Sequence, residues 1–141
     1  MRVTAGFLLG LLAGLAAANS AGTQTWQAPA EARALRNPVR VSPRSAAEGR
    51  KLYRNYCLAC HGEQGRGDGP WVSRLPDSPG NLADPVIKEM TDGELFWKIS
   101  EGRNLMPGYA RTLRPQQRWH LVNYLRTLTR SATGQESTSR Q

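Results

Sequence analysis

Cysteine is almost missing from this 141-residue chain, which has two, Cys57 and Cys60. That excludes a small scaffold stapled by several disulfides. No cysteine follows the N-terminal apolar stretch, so a lipid-modified cysteine anchor is excluded as well. Histidine is equally scarce, with His61 and His120 only. Long apolar runs are confined to residues 5–18, shorter than the ~20 residues that cross a bilayer. Strand-like alternation and internal repeats are lacking, which points away from β and repeat architectures. Acidic residues are outnumbered, 11 against 19 Lys and Arg, giving a formal charge of +8.

The two cysteines that are present stand in Cys57-Leu58-Ala59-Cys60-His61, a C-x-x-C-H pentapeptide. Thiols at this spacing can each add across one vinyl group of a haem, and the adjacent imidazole then lies under the iron. The pattern reads as c-type haem attachment. A thioredoxin-like redox pair would need a βαβ surround, which the sequence does not offer. A zinc site takes four ligands, and His120 is the single further soft donor. A Cys57–Cys60 disulfide would explain nothing else in the chain.

The N-terminus carries Arg2 and then an apolar run ending in Ala16-Ala17-Ala18. This is the layout of a secretory signal peptide over residues 1–21, with a short uncleaved anchor as the alternative. Covalent haem attachment in bacteria takes place outside the inner membrane, so both signals point to the periplasm, with membrane association left open. The basic charge sits largely on arginine, at Arg33, Arg36, Arg40, Arg44, Arg50 and Arg54 and again from Arg111 to Arg130. Export argues against nucleic acid, which leaves a solvated basic surface or steering onto an acidic docking face of a redox partner.

Residues 22–42 are rich in Ala, Arg, Gln and Pro and read as an extended linker, with a short helical turn near 29–35. One folded domain is expected over 43–130, and a disordered tail over 131–141. Ser45-Ala46-Ala47-Glu48 has the form of a capping box and is expected to start a helix that the haem motif closes. Residues 62–85 are dense in Gly, Pro and Asp; they cannot hold a long helix and suit a loop wrapping a haem edge. Thr91-Asp92-Gly93-Glu94 is a second capping box, with Met90 and Leu95 spaced as a hydrophobic staple. Pro107 makes Met106 extended. Pro115 opens a last helix, with Trp119, Val122 and Leu125 on its apolar face. Arg114 is a poor cap for it.

A haem held by one histidine leaves its other face to be filled. Met90 is occupied by the staple. His120 lies on a helix whose apolar strips bypass it, and would give a bis-histidine site. Met106 sits in a loop beside a stiffening proline and belongs to no helical stripe, which favours it as the second ligand.

Over about residues 43–129 the chain resembles the class I cytochromes c, the small soluble monohaem kind, and within them bacterial respiratory-complex cytochrome subunits. Gly49 and Tyr53 before the haem motif fit the family's first helix, and Leu121-Val122-Asn123-Tyr124-Leu125 fits its last. The resemblance implies an all-α fold of three to five helices around one covalent haem c, with flexible terminal segments. It implies thioethers at Cys57 and Cys60, His61 as the proximal iron ligand and Met106 as the distal one. A proline carbonyl often fixes the proximal imidazole, and Pro70 is the nearest candidate. With both axial positions filled, the expected role is one-electron transfer rather than enzymatic catalysis, as a periplasmic carrier or as the monohaem subunit of a membrane respiratory or dehydrogenase complex. The alternative is a haem enzyme or gas sensor with an open distal site.

Overall fold

The computed structural model describes residues 26–138, with side chains through Arg130. The leader expected over residues 1–21 lies outside them. The described chain forms α1 (Ala30–Arg33), α2 (Pro43–Tyr56), α3 (Leu58–His61), a 3-10 turn (Val72–Arg74), α4 (Pro85–Glu89), α5 (Asp92–Glu101) and α6 (Pro115–Thr138). It contains no strand, and its one β-type feature is a bridge between Arg103 and Met106. The all-α expectation holds.

Helix α2 starts earlier than expected. Ser42, not Ser45, is its cap, accepting a bond from the Ser45 backbone N–H at 3.1 Å, and Pro43 follows in the first turn. Proline is pre-organised for that position and has no N–H to leave unpaired. Ser45 is thereby freed for another task. Its buried hydroxyl meets His120 Nδ1 at 2.8 Å and accepts from Asn123 Nδ2 at 2.7 Å. Asn123 is fully buried on α6, and its Oδ1 accepts from Asn37 Nδ2 at 2.8 Å. A buried amide with its bonds satisfied fixes the register of the elements it joins.

The most extensive helix–helix contact is between α2 and α6. A Cβ on Gly49 would lie 2.0 Å from the His120 carbonyl oxygen and 2.8 Å from Tyr124 Cβ. Only glycine lets the two backbones come this near. One turn further, Tyr53 is fully buried, its ring 5.1 Å from that of Tyr124 and its hydroxyl donating to the Gly62 carbonyl at 2.7 Å. Leu95 and Ile99 from α5, and Trp119, Leu121, Val122 and Leu125 from α6, complete the core around this crossing.

Helix α5 begins on Thr91 with both halves of the capping box formed, as expected. At α6 the cap is half made. The Arg114 N–H donates to Gln117 Oε1 at 2.9 Å, but Arg114 has no acceptor to return. Helix α6 continues to Thr138, past the boundary at 130 drawn from the sequence. The segment before α2 is not a free linker. Its expected turn is α1, and Ala28 and Ala32 are buried.

Helix α4 was not expected from the sequence. Asp84 caps it, accepting from the Val86 N–H at 2.9 Å, and Arg126 of α6 holds its far end. The Arg126 guanidinium donates to Asp92 Oδ1 at 2.9 Å and to the carbonyls of Ile87, Lys88 and Met90 at 3.1, 3.2 and 2.5 Å. Arg126→Ala should strand these acceptors and cost about 2–4 kcal/mol. The check is a fall in the denaturant midpoint; Arg126→Lys should recover only part of it, because an ammonium cannot reproduce the planar fork.

Candidate functional site

The pentapeptide forms an element of its own rather than the end of α2. The helix breaks at Cys57, where φ is −120° and ψ −35°, although the Cys57 N–H still donates to the Tyr53 carbonyl at 2.8 Å. The N–H groups of Cys60 and His61 then both turn back to the Cys57 carbonyl, at 3.2 and 2.9 Å. Gly62, at φ +77°, ends the turn in a conformation that L side chains rarely adopt. The loop that follows folds back over α3. Gly67 N–H bonds to the His61 carbonyl, Gly69 N–H to that of Cys60 and Trp71 N–H to that of Ala59, at 2.9, 3.2 and 2.8 Å. Gly67 in this loop lies against Gly80, where a Cβ on it would stand 2.9 Å from the Gly80 carbonyl oxygen.

Cys57, Cys60 and His61 line one side of a largely apolar cavity of about 450 Å³. That volume is within the usual range for small-molecule and cofactor sites, about 300–1,000 Å³. Leu75 and residues 77–82 from the glycine-rich loop line it too, as do Leu95 and Ile99 from α5 and Leu121 and Leu125 from α6. His61 is buried, and burial lowers its imidazole pKa below the ordinary value. The Gly80 carbonyl opposes that effect, although His61 Nδ1 makes no hydrogen bond of good geometry. Pro70, the proline suggested by the sequence, is exposed and does not line the cavity. The Cys57 thiol is pushed up to about 12, first by burial and then by Cys60. That is opposite to the lowered pKa of a redox-active dithiol.

Met106 enters the same cavity from the segment after α5. The N–H and C=O groups of Arg103 and Met106 bond reciprocally, both at 2.9 Å, closing a two-residue turn with Asn104 at φ +53°. Asparagine tolerates that conformation better than most side chains. Gly102, at φ +68°, lets the returning chain lie close: a Cβ there would sit 2.3 Å from the Met106 carbonyl oxygen. Beyond Pro107, the Tyr109 N–H donates to the Ile99 carbonyl at 2.9 Å, and its hydroxyl to the Tyr56 carbonyl at 2.8 Å. The methionine loop is thereby tied both to α5 and to the end of α2.

The other candidates separate cleanly. His120 does not reach the cavity and is paired with Ser45. Met90 lines the cavity but also packs against the hydrophobic core, whereas Met106 is not part of that core packing. Among the described residues no three His, Cys, Asp or Glu side chains are grouped to hold a metal ion by themselves. An apolar cavity with two thiols and an imidazole on its wall, and a thioether entering it, suits a metal carried by a macrocycle. Two lining residues were not legible in the sequence: Lys98 and Trp26, the latter lying before the expected domain. Trp26 is the one aromatic of residues 22–42, but no local motif ties it to the site.

Charge around the site is mainly solvent-screened. Arg50 and Arg54 approach Glu63 at 3.5 and 4.0 Å, with side chains more than half exposed, so these pairs add little stability.

Residues 44–125 match the model of a family described as cytochrome c oxidase, cbb3-type, subunit III. Among solved structures, a chain of the Kuenenia stuttgartiensis reducing HAO-like protein complex Kustc0457/Kustc0458 superposes with a TM-score of 0.57 at 28% identity, over 64% of this chain. This chain spans 46% of that neighbour's length. The KustC0563 c-type cytochrome is 27% identical, with a TM-score of 0.49, over 57% of this chain and 95% of its own. No curated protein matches.

Proposed function

Because the chain belongs to the cbb3-type cytochrome c oxidase subunit III family and so is a cytochrome c domain built for haem-based electron transfer, we propose that it carries one covalent haem c with His61 and Met106 as axial ligands. The observation that carries this reading is the convergence of Cys57, Cys60, His61 and Met106 on one cavity. Cys57 and Cys60 would hold the group by thioether bonds. His61 would bind iron through an imidazole nitrogen. When bound, haem supplies a one-electron Fe(II)/Fe(III) couple.

The residues of the chain tune that couple. The Met106 thioether favours the ferrous state. The apolar lining acts in the same direction, because it disfavours the extra charge of the ferric centre. With both axial positions taken by protein, no position is open for a substrate, and the reading is a carrier or an electron-transferring subunit rather than an enzyme. The structural neighbour belongs to a multi-protein complex, which supports a protein partner here. The basic surface favours a partner with an acidic docking face, and the apolar leader favours the periplasm, free or beside a membrane complex.

The test is spectroscopic. The ferric protein should show the weak red band of a methionine–iron bond, and the ferrous protein should not bind carbon monoxide readily. A missing band together with rapid carbon monoxide binding would transfer the assignment to an open-site haem enzyme or sensor.

A further inference from the structure

Resting on the haem reading above, we propose that the segment from Trp26 to Arg36 is a separately docked wall of the haem pocket. In this reading it is keyed into α5 at Gly93, and Trp26 at its end keeps water from one edge of the haem and so holds the potential up.

The segment lies wholly before the residues 44–125 that match the family. Trp26 nonetheless lines the cavity that holds Cys57, His61 and Met106. It is held there from α5. The Lys98 ammonium lies 4.3 Å from the centre of the indole, and it also donates a hydrogen bond to the Trp26 carbonyl. Behind Trp26, Ala28 and Ala32 are buried. The key is Gly93, on the first turn of α5. A Cβ there would stand 2.0 Å from the Ala32 carbonyl oxygen, 2.9 Å from that of Leu35 and 3.0 Å from Leu35 Cβ. All three atoms belong to the segment, so Gly93 is open for this contact. Thr91 Oγ1 donates to the Arg33 carbonyl at 3.0 Å, and Arg33 reaches Glu94 at 3.5 Å.

These contacts place an aromatic face and a cation on the same stretch of cavity wall. Both oppose the ferric state. The indole excludes water that would solvate the extra charge, and the Lys98 ammonium repels it. Burial lowers the Lys98 pKa, with Glu94 opposing, as expected for a cation held partly out of water. Trp26 Nε1 is buried without an acceptor, so the indole keeps its place despite an unsatisfied donor, through the contacts of the whole segment.

The experiment uses the full-length, haem-loaded protein and compares Trp26→Ala, Gly93→Ala and the double variant. The three atoms nearest the Gly93 methyl all belong to the segment, and Gly93 itself does not line the cavity. Each single variant should lower the reduction equilibrium constant by roughly three- to tenfold, up to about 59 mV for one electron. The double variant should fall no lower than Trp26→Ala, because Gly93 acts through Trp26. Potentials at the wild-type value in both single variants, or additive shifts in the double, would overturn the wall. A wild-type protein with no haem mass would instead overturn the reading on which it rests.

Discussion

Replacing Met106 by alanine is expected to lower the reduction potential by on the order of 100 mV or more, since a tenfold change in a one-electron equilibrium is about 59 mV. The direction follows from the ligand. A thioether is a soft donor that stabilises Fe(II) over Fe(III), and water or an empty position in its place does not. The same change should turn a closed site into an open one, so that the ferrous variant binds carbon monoxide where the parent does not. The fold should survive, because Met106 is half-exposed and its turn is closed by backbone bonds between Arg103 and Met106 that do not involve the side chain. Redox titration and carbon monoxide difference spectra check both halves. An unchanged potential would remove Met106 from the iron and return attention to Met90, the other cavity methionine.

The second large effect concerns the crossing that places the pentapeptide. Gly49→Ala adds one methyl group 2.0 Å from the His120 carbonyl oxygen. Neither backbone can move alone, since α2 carries Tyr53 into the core and α6 carries Leu121 and Val122. Separating them unpacks those residues, and a cost of about 3 kcal/mol is expected, at the upper end for overpacking. The better helix propensity of alanine returns only about 1 kcal/mol. For a domain of this size the net loss lowers the melting temperature by on the order of 10 °C. A thermal melt of the haem-loaded variant measures it. Stability equal to the parent would mean that the two helices are not held at this distance in solution.

Much of the cavity was legible because its residues carry their chemistry in local patterns. C-x-x-C-H identifies itself, and a methionine before proline outside any helical stripe stands out. The capping box at Thr91 and the proline at the start of α6 were equally local, and both appear as expected. What the sequence hid depends on distant partners. Ser45 looks like a helix cap until α6 brings Asn123 and His120 to it. Helix α4 lies among breakers, and the clamp that ends it comes from Arg126. The folding of the glycine-rich loop back over α3, through bonds from Gly67, Gly69 and Trp71, was equally hidden. Trp26 is a lone aromatic in an alanine- and proline-rich stretch, and the contacts that dock that stretch come from distant Gly93, Thr91 and Lys98.

The central claim is that Cys57 and Cys60 tether a haem whose iron His61 and Met106 hold. Its most direct test is the intact mass of the purified protein, followed by the mass of the proteolytic peptide containing residues 57–61. The expected result is one haem added to the chain and found on that peptide. A bare chain mass, or a haem that leaves on denaturation, would contradict it.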